Sequence, residues 1–177
     1  KGSPLMLFLK ILFGCFIFFL FSSAGFSSPL IRVSVLSIFN PESLEIERRG
    51  EPVLKAGVSG RRVVMNGEKA EEFLIESPYP IFLNLPGKIR RSYEGEILIR
   101  VKQGRLFIIN RLPLSAYLSS VILSEMGHAP LEALKAQAVL SRTLAYTAMA
   151  ENKNQDYDVS DLTDSQAYRG FEIQTAL

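Results

Sequence analysis

Between Leu30 and Asn110 apolar residues tend to recur at alternate positions, and after Asn110 they recur with helical spacing. That change of period constrains the fold more than any other feature. Side chains alternate across a strand but return to one side of a helix every 3.6 residues. The runs IRVSVLSI, RRVVMNG and EEFLIES read as short strands, the last two closed by turn formers. EILIRVKQGRLFIIN reads as two strands around Lys102-Gln103-Gly104, a hairpin in which the glycine supplies a positive φ. Pro41, Pro52, Pro78, Pro80 and Pro86 keep the strands of this region short.

Past Asn110, Pro113 suits a first helical turn, and Tyr117, Val121 and Ile122 follow at helical spacing. Pro130 opens a second helix with Glu132 in its first turn, where a carboxylate suits the helix dipole. Leu131, Leu134, Ala138, Ala145 and Met149 are its expected buried stripe. ENKNQDYD is a polar exit. FEIQTAL alternates again, and we expect chain beyond Leu177 to complete that strand. The pattern predicts an α+β fold: a β-rich part over 29–110, then a helical hairpin over 111–177 that is cut short before its C-terminal part. A length of 177 residues suits one domain with a small appendage.

The appendage is residues 1–28. Lys1 and Lys10 flank apolar segments (LMLFL, ILFGCFIFFLF), and SSAGFSS follows, the order of a secretory signal with Ser22-Ser23-Ala24 before the cleavage point. An uncleaved anchor over 5–26 is the other reading, and it would be this chain's one contact with a membrane. Either way the remainder is expected outside the cytoplasm, on the periplasmic or wall side. Without Lys1 and Lys10 the 20 Lys and Arg become 18, equal to the 18 Asp and Glu. A neutral chain lacks the basic surplus that nucleic acid requires. Cys15, the single cysteine, lies in the apolar run, so the exported part has no thiol chemistry.

One histidine, His128, rules out a Cys/His zinc site and reads as a solvated loop residue. Glycines form neither a phosphate loop nor a dinucleotide fingerprint. Glu125 is more informative. It closes an apolar helix, where the exposed carbonyls of the last turn disfavour an ionised carboxylate. Val121, Ile122, Leu123 and Met126 would desolvate it, and both effects raise a carboxyl pKa toward that of a general acid. The alternative is a helix-end glutamate facing water or pairing with Lys135 or Arg142. Lys135 and Arg142 lie near one side of the second helix, with Gln137 loosely aligned, and an antiparallel hairpin would bring that side toward Glu125.

NRLPLSAYLSSVILSEM, PLEALKAQAVLSRTLAY and DVSDLTDSQAYRG, in that order, resemble the stage II sporulation protein D / LytB (SpoIID/LytB) family over about Arg105 to Gly170. The resemblance implies one of two activities. One is a lytic transglycosylase cleaving peptide-stripped peptidoglycan glycan strands between N-acetylmuramic acid and N-acetylglucosamine. The other is a non-catalytic enhancer of a cell-wall amidase. It places the catalytic acid/base at Glu125, and the candidates for holding substrate are Lys135, Gln137, Arg142, Gln166 and Tyr168. Asp158, Asp161 and Asp164 are the acids from which a second carboxylate would have to come. Some relatives carry a Cys/His cluster where this chain reads VSDLTDSQ, so no metal and no other cofactor is expected. Gly127-His128-Ala129 replaces the proline and tryptophan of many relatives, which leaves Tyr168 as the aromatic candidate for stacking a sugar.

Overall fold

The structure, a computed structural model, describes residues 28–162 and 166–171. The signal or anchor reading falls on residues outside this range, apart from Ser28, as does the final alternating run beyond Phe171. No helix among the described residues is long and apolar enough to cross a membrane.

The described residues form eleven short strands and two helices: β1 (Leu30–Val35), a 3-10 turn (Ser37–Phe39), β2 (Ser43–Glu47), β3 (Leu54–Ser59), β4 (Arg62–Met65), β5 (Glu68–Ala70), β6 (Glu72–Ile75), β7 (Ile81–Leu85), β8 (Ile89–Tyr93), β9 (Glu96–Lys102), β10 (Arg105–Pro113), α1 (Leu114–Met126), α2 (Leu131–Glu151) and β11 (Val159–Ser160). The fold is α+β, as the change of period predicts. One sheet has the order β11-β1-β10-β9-β6 and the other β5-β4-β3-β2-β7-β8. Every pairing is antiparallel except β1 with β11. A parallel neighbour needs a crossover, and here the chain from β10 through both helices supplies it. The segment after α2 is thereby stitched to the first strand.

Alternation explains the core. Ile31, Val33 and Val35 of β1, Ile97 and Ile99 of β9, and Leu106 and Ile108 of β10 point inward with Leu44, Ile46, Val63, Ile81 and Leu83 of the other sheet. α1 adds Leu114, Tyr117, Leu118 and Val121 to the same core. Full burial of each such side chain contributes roughly 1.5–3 kcal/mol before the entropy of ordering it is subtracted. The β9–β10 hairpin turns on two residues, Gln103 at φ 52° and Gly104 at φ 75°, with Lys102 paired to Arg105. Both central residues are left-handed, the geometry that matches strand twist in a two-residue turn.

Two expectations need correction. The strand does not stop at Asn110: β10 continues to Pro113, because Arg111, Leu112 and Pro113 pair with Arg32, Ile31 and Leu30. The helix starts only at Leu114, and Pro113, lacking an N–H, closes the strand and precedes the helix. The buried stripe of α2 is also narrower than its sequence implies. Ser141 and Ala145 are buried, Leu134, Ala138 and Met149 are half-buried, and Leu131 is exposed at the first turn. Among the described residues α2 packs chiefly against α1 and β11, and Leu131, Val139, Leu140 and Leu144 stay outside.

Candidate functional site

α1 ends where Gly127 adopts φ 53° and its N–H bonds the Leu123 carbonyl at 3.1 Å. A tight turn through His128, which is exposed, leads to Pro130 and α2. The reversal lays the second turn of α2 beside the last turn of α1. Gln137 Nε2 there donates to Glu125 Oε2 and lies 3.3 Å from Ser141 Oγ. On the other side the Ala167 N–H donates to Glu125 Oε1 at 3.1 Å. Two N–H donors from separate segments thus fix one carboxylate at the helix end.

Ala167 is held in place by the rest of Gln166–Phe171, which lies along α1. Gln166 Oε1 accepts a bond from the Tyr117 hydroxyl at 3.2 Å, and the Tyr168 ring stacks on Tyr117 with centroids 5.3 Å apart. The Tyr168 hydroxyl donates to Asn110 Oδ1 at 2.5 Å. Asn110, fully buried in β10, donates in turn to the carbonyls of Glu94 at 2.8 Å and Glu96 at 3.1 Å. Ser120 Oγ bonds the Gly170 carbonyl, and the Phe171 N–H bonds the Ser92 carbonyl at 2.7 Å. Gly170 sits at φ 82° with the Ser92 carbonyl where a Cβ would be, so no larger residue fits. Burial raises the hydroxyl pKa of Tyr117, reinforced by the Glu125 charge, and that of Tyr168, reinforced by Tyr93, Glu94 and Tyr117. Both stay protonated donors at any physiological pH.

The candidate residues separate under this geometry. Glu125 and Gln137 come together at the end of α1, while Gln166 bonds Tyr117 and precedes Ala167, whose N–H reaches Glu125. Lys135 does not join them; it is exposed and pairs at 2.9 Å with Glu132 on its own helix. Arg142 is exposed and has no ion pair or hydrogen-bond partner among the described residues. Tyr168 is 2% exposed, so its ring has no free face for a sugar, and its work is to anchor Gln166–Phe171. The expected apolar enclosure of Glu125 is also absent. Its side chain is exposed, since it lies one turn beyond buried Val121, past the point where α1 meets the core.

The candidate second carboxylates are occupied elsewhere. Asp158, with a side chain 5% exposed, pairs with Arg32 at 2.6 Å and accepts the Arg32 backbone N–H at 2.8 Å. Asp161 accepts the Leu36 N–H at 2.6 Å and the Ser37 hydroxyl at 2.7 Å, which holds the 3-10 turn. Asp164 lies outside the described residues. The described residues contain no group of three His, Cys, Asp or Glu side chains suited to a metal ion. Sequence reasoning missed Asn110 and the backbone of Ala167. An amide within the apolar run FIINRL was a legible signal for the first; nothing local marks the second.

Comparison with known proteins covers the stretch that carries these residues. Residues 102–176 match the family model SpoIID, stage II sporulation protein. An uncharacterized protein of Brachyspira hyodysenteriae is 35% identical over 83 residues, a stretch that spans 46% of this chain and 23% of that protein. No solved structure gives a significant match. The matched stretch is the one that builds β10, both helices and the clasp around Glu125, and over it the chain is similar to the SpoIID, stage II sporulation protein, family.

Proposed function

We propose that this protein acts on the glycan of the cell wall as a lytic transglycosylase, with Glu125 as its single acid/base. The match to the family model supports the coarser statement, a cell-wall-related sporulation function. The observation that carries the finer one is the convergence of Gln137 and Ala167 on an exposed carboxylate. Such donors orient one carboxyl group while leaving it reachable by a polymer.

The chemistry needs no second acid. Protonated Glu125 gives its proton to the oxygen bridging C1 of N-acetylmuramic acid to N-acetylglucosamine, and the C1–O bond breaks. The resulting carboxylate takes the proton from the muramic C6 hydroxyl, whose oxygen bonds C1 and closes a 1,6-anhydro ring. Glu125 ends protonated again, and no water is consumed. Glycosidases that hydrolyse generally place a second carboxylate opposite the acid. Asp158 and Asp161 are both committed to the fold, which favours the one-carboxylate route. On this reading the protein works outside the cytoplasm on glycan freed of peptide.

One observation favours a second reading. Both oxygens of Glu125 already accept intrachain N–H groups, which would suit a clasp in a non-catalytic enhancer of a wall amidase. Mass spectrometry of peptide-free glycan strands after incubation with the protein separates the two. New 1,6-anhydromuramic ends are expected. Intact strands, together with faster peptide release by an added amidase, would replace the transglycosylase reading with the enhancer.

A further inference from the structure

The far end of α2 opens onto a groove that the chemistry at Glu125 does not use. Two adjoining hollows, of about 230 and 320 Å³, share Lys102, Tyr157 and Ser160 and run between the β9–β10 hairpin and the chain leading into β11. Tyr157 forms their common wall and is half-buried, its ring 5.9 Å from that of Phe107 and tilted by 57°. Lys102 covers the Phe107 ring at 5.0 Å, leaving Tyr157 as the aromatic surface shared by both hollows.

Charges around the groove are already matched. Lys102 pairs with Asp156 at 3.0 Å, Arg105 with Glu42, and Arg32 with Asp158 at 2.6 Å. A polyanion therefore finds no uncommitted cation there. The side-chain amides of Asn40, Gln103 and Gln155 line the walls and have no partner among the described residues. An aromatic face beside open amides and matched charges suits a neutral, hydroxyl- and amide-rich ligand with polarised C–H faces.

We propose that this groove is a distal subsite for a β-linked N-acetylhexosamine strand, with Tyr157 as its stacking platform. The inference rests on the wall-glycan reading and deepens it. At 1.5 Å per helical residue, the groove lies about 20 Å along α2 from Gln137. It would thus hold the strand remote from the bond that is cut.

Isothermal titration with N-acetylchitohexaose and, separately, with peptide-free wall glycan tests it on the wild type, Tyr157→Ala, Gln155→Ala and Glu125→Gln. Both ligands should bind the wild type. Tyr157→Ala should weaken each roughly tenfold, Gln155→Ala less, and Glu125→Gln should leave the chitohexaose affinity unchanged. A thermal melt shows whether Tyr157→Ala is folded. Independently, amide shifts induced by chitohexaose in the wild type should cluster at Phe107, Gln155 and Tyr157. Wall glycan that binds Tyr157→Ala as tightly as wild type, or shifts confined to Gln137 and Gln166, would remove the subsite and leave the wall-glycan reading standing. A wild type that binds neither ligand would remove both.

Discussion

Two carboxylates tie the segment after α2 to the rest of the domain, and they do it in opposite ways. Asp158 is buried, paired with a guanidinium and bonded to a backbone N–H of β1, while its own carbonyl accepts from Asn152 at 2.8 Å. Arg32 reciprocates, reaching the carbonyls of Gln155 at 2.6 Å and Asn152 at 3.0 Å, and its pKa is raised chiefly by the Asp158 hydrogen bond. Glu125 holds its neighbours with two bonds as well, yet its side chain remains exposed. A carboxylate sealed into a ladder serves the fold. One left at a helix end with oriented donors is available for chemistry. The contrast predicts that removing the first charge harms stability and removing the second harms activity.

The largest stability effect should come from Asp158→Asn. It strands the Arg32 charge and loosens the β1–β11 pairing, and breaking a buried pair typically costs about 3–5 kcal/mol. Urea titration should show a midpoint shift of that size; a shift below about 1 kcal/mol would mean that the clamp is solvated and the contrast unfounded.

Alkaline pH probes the latch around Glu125 through its tyrosines. Tyr93, Tyr117 and Tyr168 are all raised above their ordinary value by burial. In the unfolded chain they lose protons near pH 10, whereas in the fold they keep them. The stabilisation is complete below about pH 10 and falls as pH rises, by about 1.4 kcal/mol per unit for each tyrosine. Melting temperature should therefore drop steeply above pH 10, and a flat profile to pH 11.5 would show these hydroxyls to be hydrated.

Tyr168→Phe should come next in size. It leaves Asn110 Oδ1 buried without its donor, a loss of about 1–3 kcal/mol. Hydrogen exchange should quicken at Ala167 and Phe171 while the Arg32–Asp158 region keeps its protection. Equal acceleration in both regions would mean that latch and clamp open together and are not separate devices.

The sequence made the local parts of this architecture readable and concealed the non-local ones. Period-two runs announced β1, β4, β6, β9 and β10, and Pro130 marked the start of α2, because each signal lies within one element. The partition into two sheets was not legible, since β2 pairs on one side with its neighbour β3 and on the other with β7, far along the chain. β11 has two residues and no period at all. At the site, Glu125 stood out by chemistry and position, but its surroundings were misjudged. Apolar neighbours in sequence occupy other sides of the helix, and enclosure depends on which of them meets the core. Asp158 and Asp161 resembled solvated turn acids because their partners, Arg32 and Leu36, lie more than a hundred residues earlier.

The smallest stability change and the largest functional one should coincide in Glu125→Gln. The amide keeps the size of the side chain and lies on the surface; its single oxygen accepts only one of the two N–H groups, so thermal stability should fall by no more than about 1 kcal/mol. It can neither give nor take the proton, and loss of one positioned acid/base typically lowers a rate by about 10²–10⁴-fold. The decisive measurement is the initial rate of 1,6-anhydromuramic product formation from peptide-free glycan by Glu125→Gln, taken beside its thermal melt. The account predicts a melt like that of wild type and a rate lower by at least about a hundredfold. An unchanged rate, or a rate lost only together with the fold, would contradict it.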